Sequence, residues 1–371
     1  MSVTQLEIQL IAVVVAVACA LPGVFLVLRG MAMMSDAISH TVLLGIVLGF
    51  FIVEDINSPF LIAGAAVMGV ITVSLVELLN RTRLVREDAA IGLVFPALFS
   101  LAVIFISRFA GDVHLDSDAV LLGELAFAPF DRLLIGGSDL GPVALYSMAG
   151  ILILNLLFII IFYKELKLAT FDAALAATLG FSPGLIHYGL MGIVSLTAVG
   201  AFDTVGSILV VALMIAPPVS AYLLTDRLPT LLGMSAGFAA VGAIGGYWLA
   251  HWLDANIAGS MATVLGLVFG VVFLFAPQRG ILALARRRAQ QKWEFAQAAL
   301  AIHLLNHEGT AAAYEENRVD HLSHHLRWQE PFALEVVQRA QRGGLVERDN
   351  GHLALTEPGR QLARETLMLT S

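Results

Sequence analysis

The chain has 371 residues, of which 58% are apolar and only 13% charged, with a formal net charge of −8. So little charge cannot cover a soluble surface, so most of the chain faces lipid, and disorder is excluded on the same ground. The acidic balance argues against non-specific nucleic-acid binding by the whole chain. Cys19 stands alone, which removes intrachain disulfides and thiolate metal cages. The three lysines, Lys164, Lys167 and Lys292, follow no Gly-x-x-x-x-Gly, so any ATP hydrolysis belongs to another polypeptide.

In chain order, apolar stretches of membrane-spanning length fall at 6–28, 37–53, 59–79, 89–107, 142–163, 184–202, 205–224, 230–253 and 260–276. The first lacks a basic leader and a small-residue cleavage site, and so reads as a span rather than a signal peptide. Only Asp203 and Thr204 separate the sixth stretch from the seventh. They form either a tight hairpin or one broken helix, so the count is about nine, with eight as the alternative. Arg81, Arg83 and Arg86, then Lys164 and Lys167, then the arginines after Pro277 alternate with acidic loops. Basic loops stay in the cytoplasm, which places the N-terminus outside and the C-terminal region inside. Gly242-x-x-x-Gly246 and Gly266-x-x-x-Gly270 read as helix-packing devices.

An ionisable group inside a span costs at least about 2.5–3.5 kcal/mol on insertion scales, so it calls for a reason. Asp36 and His40 stand at i and i+4 near the start of the second stretch. On a helix they share one face, about 6 Å apart along the axis. A carboxylate and an imidazole there are half of a divalent-metal site, and two copies about a two-fold axis supply four O/N ligands. Such a set suits Mn²⁺, Zn²⁺ or Fe²⁺, and the lack of thiolate argues against Cu⁺. The competing reading has Asp36 capping a helix that begins there and His40 as an ordinary polar contact. Pro217 and Pro218 interrupt the seventh stretch and are candidates for a kink along a transport path or for a plain bend. Glu77 is expected to pair with a neighbouring arginine, and His187 and His251 to sit at span ends. The acidic loop carrying Asp112, Asp116 and Asp118 is a candidate external docking loop, with a merely solvated loop as its alternative. Asp172 is placed to start a short alanine-rich helix and Gly180 to end it, a natural docking element for a soluble partner.

Several motifs, taken in order, resemble one family. Arg29-Gly-Met-Ala-Met-Met-Ser-Asp36-Ala-Ile-Ser-His40, then Asp88-Ala-Ala-Ile-Gly-Leu-Val-Phe, then Phe171-Asp172 through Ala176 to Gly180, then Val205-Gly206 through Pro217 are similar to the permease subunits of bacterial ABC importers for manganese, zinc and iron. The resemblance covers about residues 6 to 277. It implies a cytoplasmic-membrane permease that pairs with an identical or sister copy and docks an ATP-binding cassette ATPase. It also implies that an extracytoplasmic metal-binding protein delivers the ion. No cofactor is held permanently, since the Mn, Zn or Fe ion is cargo. Asp36 and His40 inherit the metal path, and Phe171, Asp172, Ala176 and Gly180 inherit the coupling helix, with Asp172-Ala-Ala standing where Glu-Ala-Ala is usual.

Composition changes at Pro277, so a permease domain (1–277), a basic linker (278–292) and a soluble domain (293–371) are expected. In the last, 295–306 and 331–343 read as helices, followed by strand, Asn350-Gly351 turn, strand and helix start. That order resembles the winged helix of metal-dependent repressors. The predicted fold class is therefore an all-α polytopic membrane protein with a small α+β winged-helix cytoplasmic domain. Arg339 and Arg342 share their helix with Glu335, and the near-neutral tail lacks the basic face of a DNA reader, so regulation or partner docking is expected instead. His321, His324 and His325 are candidates for metal sensing in the tail. The alternatives in function are a permease for metal chelates or haem and, from another class, a membrane-tethered metal-responsive regulator.

Overall fold

The computed structural model describes residues 2–53, 58–109, 125–135, 138–310, 313–349 and 351–370. They fall into two compact units, 1–280 and 281–371.

In the first unit, α1 (Val3–Leu28), α2 (Met33–Val53), α3 (Pro59–Arg81) and α4 (Glu87–Phe109) are followed by a 3₁₀ turn (Ala128–Phe130) and a hairpin, β1 (Arg132–Ile135) and β2 (Ser138–Pro142). Then come α5 (Val143–Ile161), α6 (Tyr163–Phe171), α7 (Ala173–Thr178), α8 (Pro183–Tyr222), α9 (Leu228–Leu253) and α10 (Ile257–Phe275). Among the described residues nine segments are long and apolar enough to cross a membrane, with α8 supplying two of them. The α1 helix is the hub, packed against α5, α8 and α9, while α2 packs against α3, α4 and α8. The most apolar window of α1 is 72% buried against 17% for α5, which separates the core helix from a peripheral one. Small residues permit this centrality: Ala12, Ala16, Ala18, Cys19 and Ala20 are fully buried on α1.

Prolines inside helices free carbonyls, and neighbouring helices close on those freed by Pro22 and Pro218. Pro22 has no N–H for the Ala18 carbonyl, and the buried Asn155 of α5 donates to it from Nδ2 at 2.9 Å. The same Nδ2 lies 2.9 Å from Thr197 Oγ1 of α8. Pro218 likewise frees the Met214 carbonyl, and Gly23 of α1 closes on it so tightly that a Cβ there would stand 2.1 Å from the oxygen. The helix runs through Pro217 and Pro218, and its one non-helical residue is Gly206 at φ 76, ψ 163. The two prolines keep helical dihedrals, and the reversal in α8 falls at Gly206.

Gly206 also settles the span count. His187, near the start of α8, lies beside Arg29 at the end of α1. Gly23, six residues (about 9 Å) back along α1, touches Met214. On a straight helix Met214 would lie 27 residues, about 40 Å, from His187. The chain therefore turns back at Gly206, in a backbone region essentially restricted to glycine, and forms two spans, not one.

The glycine pairs divide. A Cβ on Gly246 would meet the Met261 backbone at 2.3 Å and one on Gly242 the Leu265 side chain at 2.3 Å, so this pair seats α9 on α10. Nothing stands within 4 Å of such a Cβ on Gly266 or Gly270, so the expected packing role fails for that pair within one chain. A comparable approach joins α2 to α3, where Gly45 and Gly64 face each other's carbonyl oxygens at 2.5 and 2.7 Å from the would-be Cβ atoms.

The hairpin before α5 departs from an all-α membrane domain. Arg132 fixes it by donating to Asp139 across the strands (2.9 Å) and to Glu7 of α1 (2.9 and 3.0 Å). Those hydrogen bonds hold the Asp139 carboxyl below the usual carboxylate range.

The second unit comprises α11 (Ile281–His307), α12 (Ala313–Glu316), α13 (Val319–His325), α14 (Glu330–Arg342), the antiparallel pair β3 (Val346–Asp349) and β4 (His352–Leu355), and α15 (Glu357–Thr370). Its own core joins Leu300, Leu304, Leu322, Val336, Val337, Val346 and Leu353. The residues expected as a linker, 278–292, are instead helical from Ile281 onward, continuous with the helix to His307. Alanine, leucine, arginine, glutamine and lysine there are all strong helix formers, with no proline or glycine to break the run.

Candidate functional site

The turn between α1 and α2 sets the site. Gly30 takes φ 73, Met31 N–H donates to the Leu26 carbonyl (2.9 Å) and Gly30 N–H to that of Val27 (3.1 Å), which closes α1 in a Schellman turn. The α2 helix then begins at Met33, so Asp36 lies inside its first turn rather than capping it. A carboxylate there is favoured by the helix dipole. His40 Nε2 stands 3.4 Å from Asp36 Oδ1, and the two side chains are 31% and 32% exposed. Two tetrahedral ligands bound at about 2.1 Å stand about 3.4 Å apart, so the pair has the bite of a divalent-metal chelate. The imidazole is held from α4 by Phe95, stacked at 5.5 Å, and Phe99, edge-on at 5.9 Å. Their Phe-x-x-x-Phe spacing puts both rings on one face, a signal that sequence reasoning passed over.

Arg29, quoted only as part of a motif, joins three elements. Its Nε donates to Thr170 Oγ1 of α6 at 3.1 Å, and Nη1 lies 3.5 Å from His187 Nδ1 of α8. Nη2 is buried and donates to no partner. Burial pulls the pKa of the guanidinium below its ordinary value, but an arginine remains charged. Beside it opens a cavity of about 220 Å³ lined by Met31, Met34, Val73, Val76, Glu77, Asn80 and His187. Glu77 pairs with Arg81 at 2.6 Å and accepts a hydrogen bond from Tyr188 Oη at 2.5 Å.

The element expected to meet a soluble partner is α6–α7. Asp172 caps α7 by accepting from Leu175 N–H at 2.8 Å. Gly180, at φ 86, ends it in a second Schellman turn, with Phe181 N–H on the Ala176 carbonyl (3.0 Å) and Gly180 N–H on that of Ala177 (3.1 Å). Ala176 is fully buried, so it seats the element and presents nothing outward. The outward residues are Phe171, Leu175 and Leu179, exposed by 61%, 45% and 58%. The i, i+4 spacing of Leu175 and Leu179 was visible in the sequence, while the extended Asp172 separates Phe171 from their helix.

Pro217 and Pro218 are buried in α8. Asp112, Asp116 and Asp118 lie outside the described residues. His321, His324 and His325 fall in α13, where His325 Nε2 is 2.8 Å from Glu316 Oε2, and the side chain of His324 lies outside what is described.

Nine candidate spans among the described residues, the first of them a buried hub helix and the second carrying an acid–imidazole pair, define a multi-pass membrane protein. The profile of the ABC 3 transport family matches residues 4–276, and the chain belongs to that family. It is 48% identical over 362 residues to the "Zinc transport system membrane protein TroD" of Treponema pallidum (strain Nichols), covering 98% of both chains. It is 47% identical over 270 residues to the "Manganese transport system membrane protein MntD" of Bacillus subtilis (strain 168), covering 73% of this chain and 91% of that one. Among solved structures it resembles PsaBC from Streptococcus pneumoniae in complex with Fab, with a TM-score of 0.63 and 27% identity, covering 77% of this chain and 96% of that one.

Proposed function

We propose that the protein is the membrane permease subunit of an ATP-driven importer of divalent transition-metal ions, with manganese the leading cargo and zinc or iron next. The observation that carries this is the Asp36–His40 pair, at chelating distance and part-exposed on α2. One chain offers two ligands where a tetrahedral ion takes four, so a second permease copy, identical or sister, supplies the rest across a shared axis. The names of the relatives, a zinc and a manganese transport protein, support the cargo class.

The ATPase is a separate subunit that seats on the Phe171–Leu175–Leu179 ridge. Arg29 links that ridge, through Thr170, to the turn that sets Asp36. An extracytoplasmic metal-binding protein delivers the ion at the opposite face, where the loop with Asp112, Asp116 and Asp118 is a candidate contact. The second unit lies in the cytoplasm as a winged-helix domain; its helix, strand, strand, helix order from α14 to α15 supports that reading. Arg339 stacks on Trp293 at 4.0 Å and pairs with Glu335 at 2.8 Å, which engages one of the two arginines on the would-be recognition helix. Regulation of the transporter is therefore favoured over nucleic-acid binding.

The test is uptake of radioactive Mn²⁺ and Zn²⁺ by vesicles containing the permease, its ATPase and the loaded binding protein. ATP-dependent uptake lost in Asp36→Ala and in His40→Ala supports the assignment, and undiminished uptake in both removes it.

A further inference from the structure

The C-terminal unit holds a second set of metal-ligating side chains, independent of the membrane pair and of the transport reading. Histidines recur at i and i+4 on two helices, His303 and His307 on α11 and His321 and His325 on α13. That spacing puts each pair of imidazoles on one helix face, as in helical zinc sites. Glu316, the last residue of α12, stands between the pairs. Ligating atoms of His303, His307 and Glu316 lie within 4.8 Å of one another, and so do those of Glu316, His321 and His325. The ring of His303 is 4.8 Å from that of His307 and 5.9 Å from that of His325.

Two details separate this cluster from a group of solvated side chains. His303 is 9% exposed, and its Nε2 lies 3.2 Å from the main-chain oxygen of Glu316. A proton on Nε2 directed there fixes the tautomer and leaves Nδ1 with a free lone pair, the outer-shell arrangement usual for a metal-binding histidine. Glu316 Oε2 is buried, stands 2.8 Å from His325 Nε2, and yet accepts no well-aligned hydrogen bond. A buried carboxylate oxygen beside an imidazole nitrogen, with no aligned donor of its own, is a group that a shared cation would satisfy after a small widening of the pair.

We propose that the C-terminal unit binds one Zn²⁺-class ion per chain, with Glu316 as the shared ligand among His303, His307, His321 and His325. The set is rich in nitrogen and has no thiolate, so it favours Zn²⁺ and Co²⁺ over Mn²⁺ by ligand type and by the Irving–Williams order. Three of the five, His303, His307 and Glu316, lie outside the histidine trio that the sequence singles out. The ion ties α11, α12 and α13 together.

The experiment uses the full chain in detergent carrying Asp36→Ala and His40→Ala, so that the membrane pair contributes no binding. It is titrated with Co²⁺ and Zn²⁺, and metal is counted after gel filtration. The expected results are one Zn²⁺ per chain, an intense visible Co²⁺ spectrum of a four- or five-coordinate site that Zn²⁺ abolishes, and Mn²⁺ competition weaker by about a hundredfold or more. Adding His307→Gln and His325→Gln, at positions not fully buried, weakens Zn²⁺ binding by about tenfold or more with unchanged circular dichroism. Equal Zn²⁺ binding with and without those two changes overturns the proposal. So does a Co²⁺ spectrum of only the six-coordinate aqua type in the chain that keeps all five ligands, a readout that does not depend on the variants folding.

Discussion

Asn155→Leu isolates one buried polar contact, and Pro22→Ala supplies its internal control. Asn155 is fully buried and donates to the Ala18 carbonyl that Pro22 leaves without a helical partner. Leucine keeps the branched outline and removes the donor. An orphaned buried carbonyl costs about 1–3 kcal/mol, while interhelical hydrogen bonds in membranes average only about 0.6 and reach about 1.7 kcal/mol. Thr197 Oγ1 loses its two contacts with Asn155 but keeps its bond to the Ile193 carbonyl at 2.8 Å, so the carbonyl dominates and about 1–2 kcal/mol is expected. With alanine at position 22 the backbone N–H returns, Ala18 regains its own helical partner, and the same Asn155→Leu change costs about half as much. The assay is a double-mutant cycle on unfolding in mixed micelles, followed by tryptophan fluorescence. Equal cost of Asn155→Leu in both backgrounds would refute the claim that the asparagine serves the proline.

Gly206→Ala forces a Cβ into the φ 76, ψ 163 turn and costs about 1–3 kcal/mol, read as a lower melting temperature in detergent. A melting temperature equal to wild type would mean that the reversal lies elsewhere. Leu175→Asp with Leu179→Asp places charge on the exposed ridge, so co-purification of the ATPase falls at least about tenfold while the permease folds normally; full co-purification would move the docking site off α7. In the C-terminal unit, hydrogen bonds from Arg360 hold the Glu308 carboxyl below its ordinary pKa. That contribution is present above the unfolded carboxylate value near about 4.3 and is lost as pH falls through the lowered one. Arg360→Ala should therefore flatten the acid limb of the unit's melting curve, and an unchanged limb would show that the pair is inconsequential.

How far the sequence could be read depends on the range of the interaction concerned. Spans announce themselves because lipid demands about 20 apolar residues in a row, and α7 because Asp172 and Gly180 cap it locally. Asp36 and His40 were legible because a charge in a span has few bland explanations. What escaped depends on partners distant in sequence. Asn155 gains meaning only once Pro22 is found beside it, Arg29 only once Thr170 and His187 meet it, and Glu316 only once two helices close on it. The approach of Gly23 to the Met214 carbonyl that Pro218 frees is likewise a contact between residues distant in sequence. Gly266 and Gly270 match a packing pattern by composition alone. The β1–β2 hairpin was passed over because two strands of four and five residues between apolar spans are a weak signal beside the membrane pattern.

The measurement that bears most directly on the account is metal uptake by the reconstituted permease–ATPase complex carrying Asp36→Asn or His40→Gln. Each change preserves shape and removes one ligand of the 3.4 Å pair. ATP hydrolysis that persists while Mn²⁺ and Zn²⁺ uptake falls by at least about tenfold is the predicted result. Uptake at the wild-type rate in both variants would contradict it.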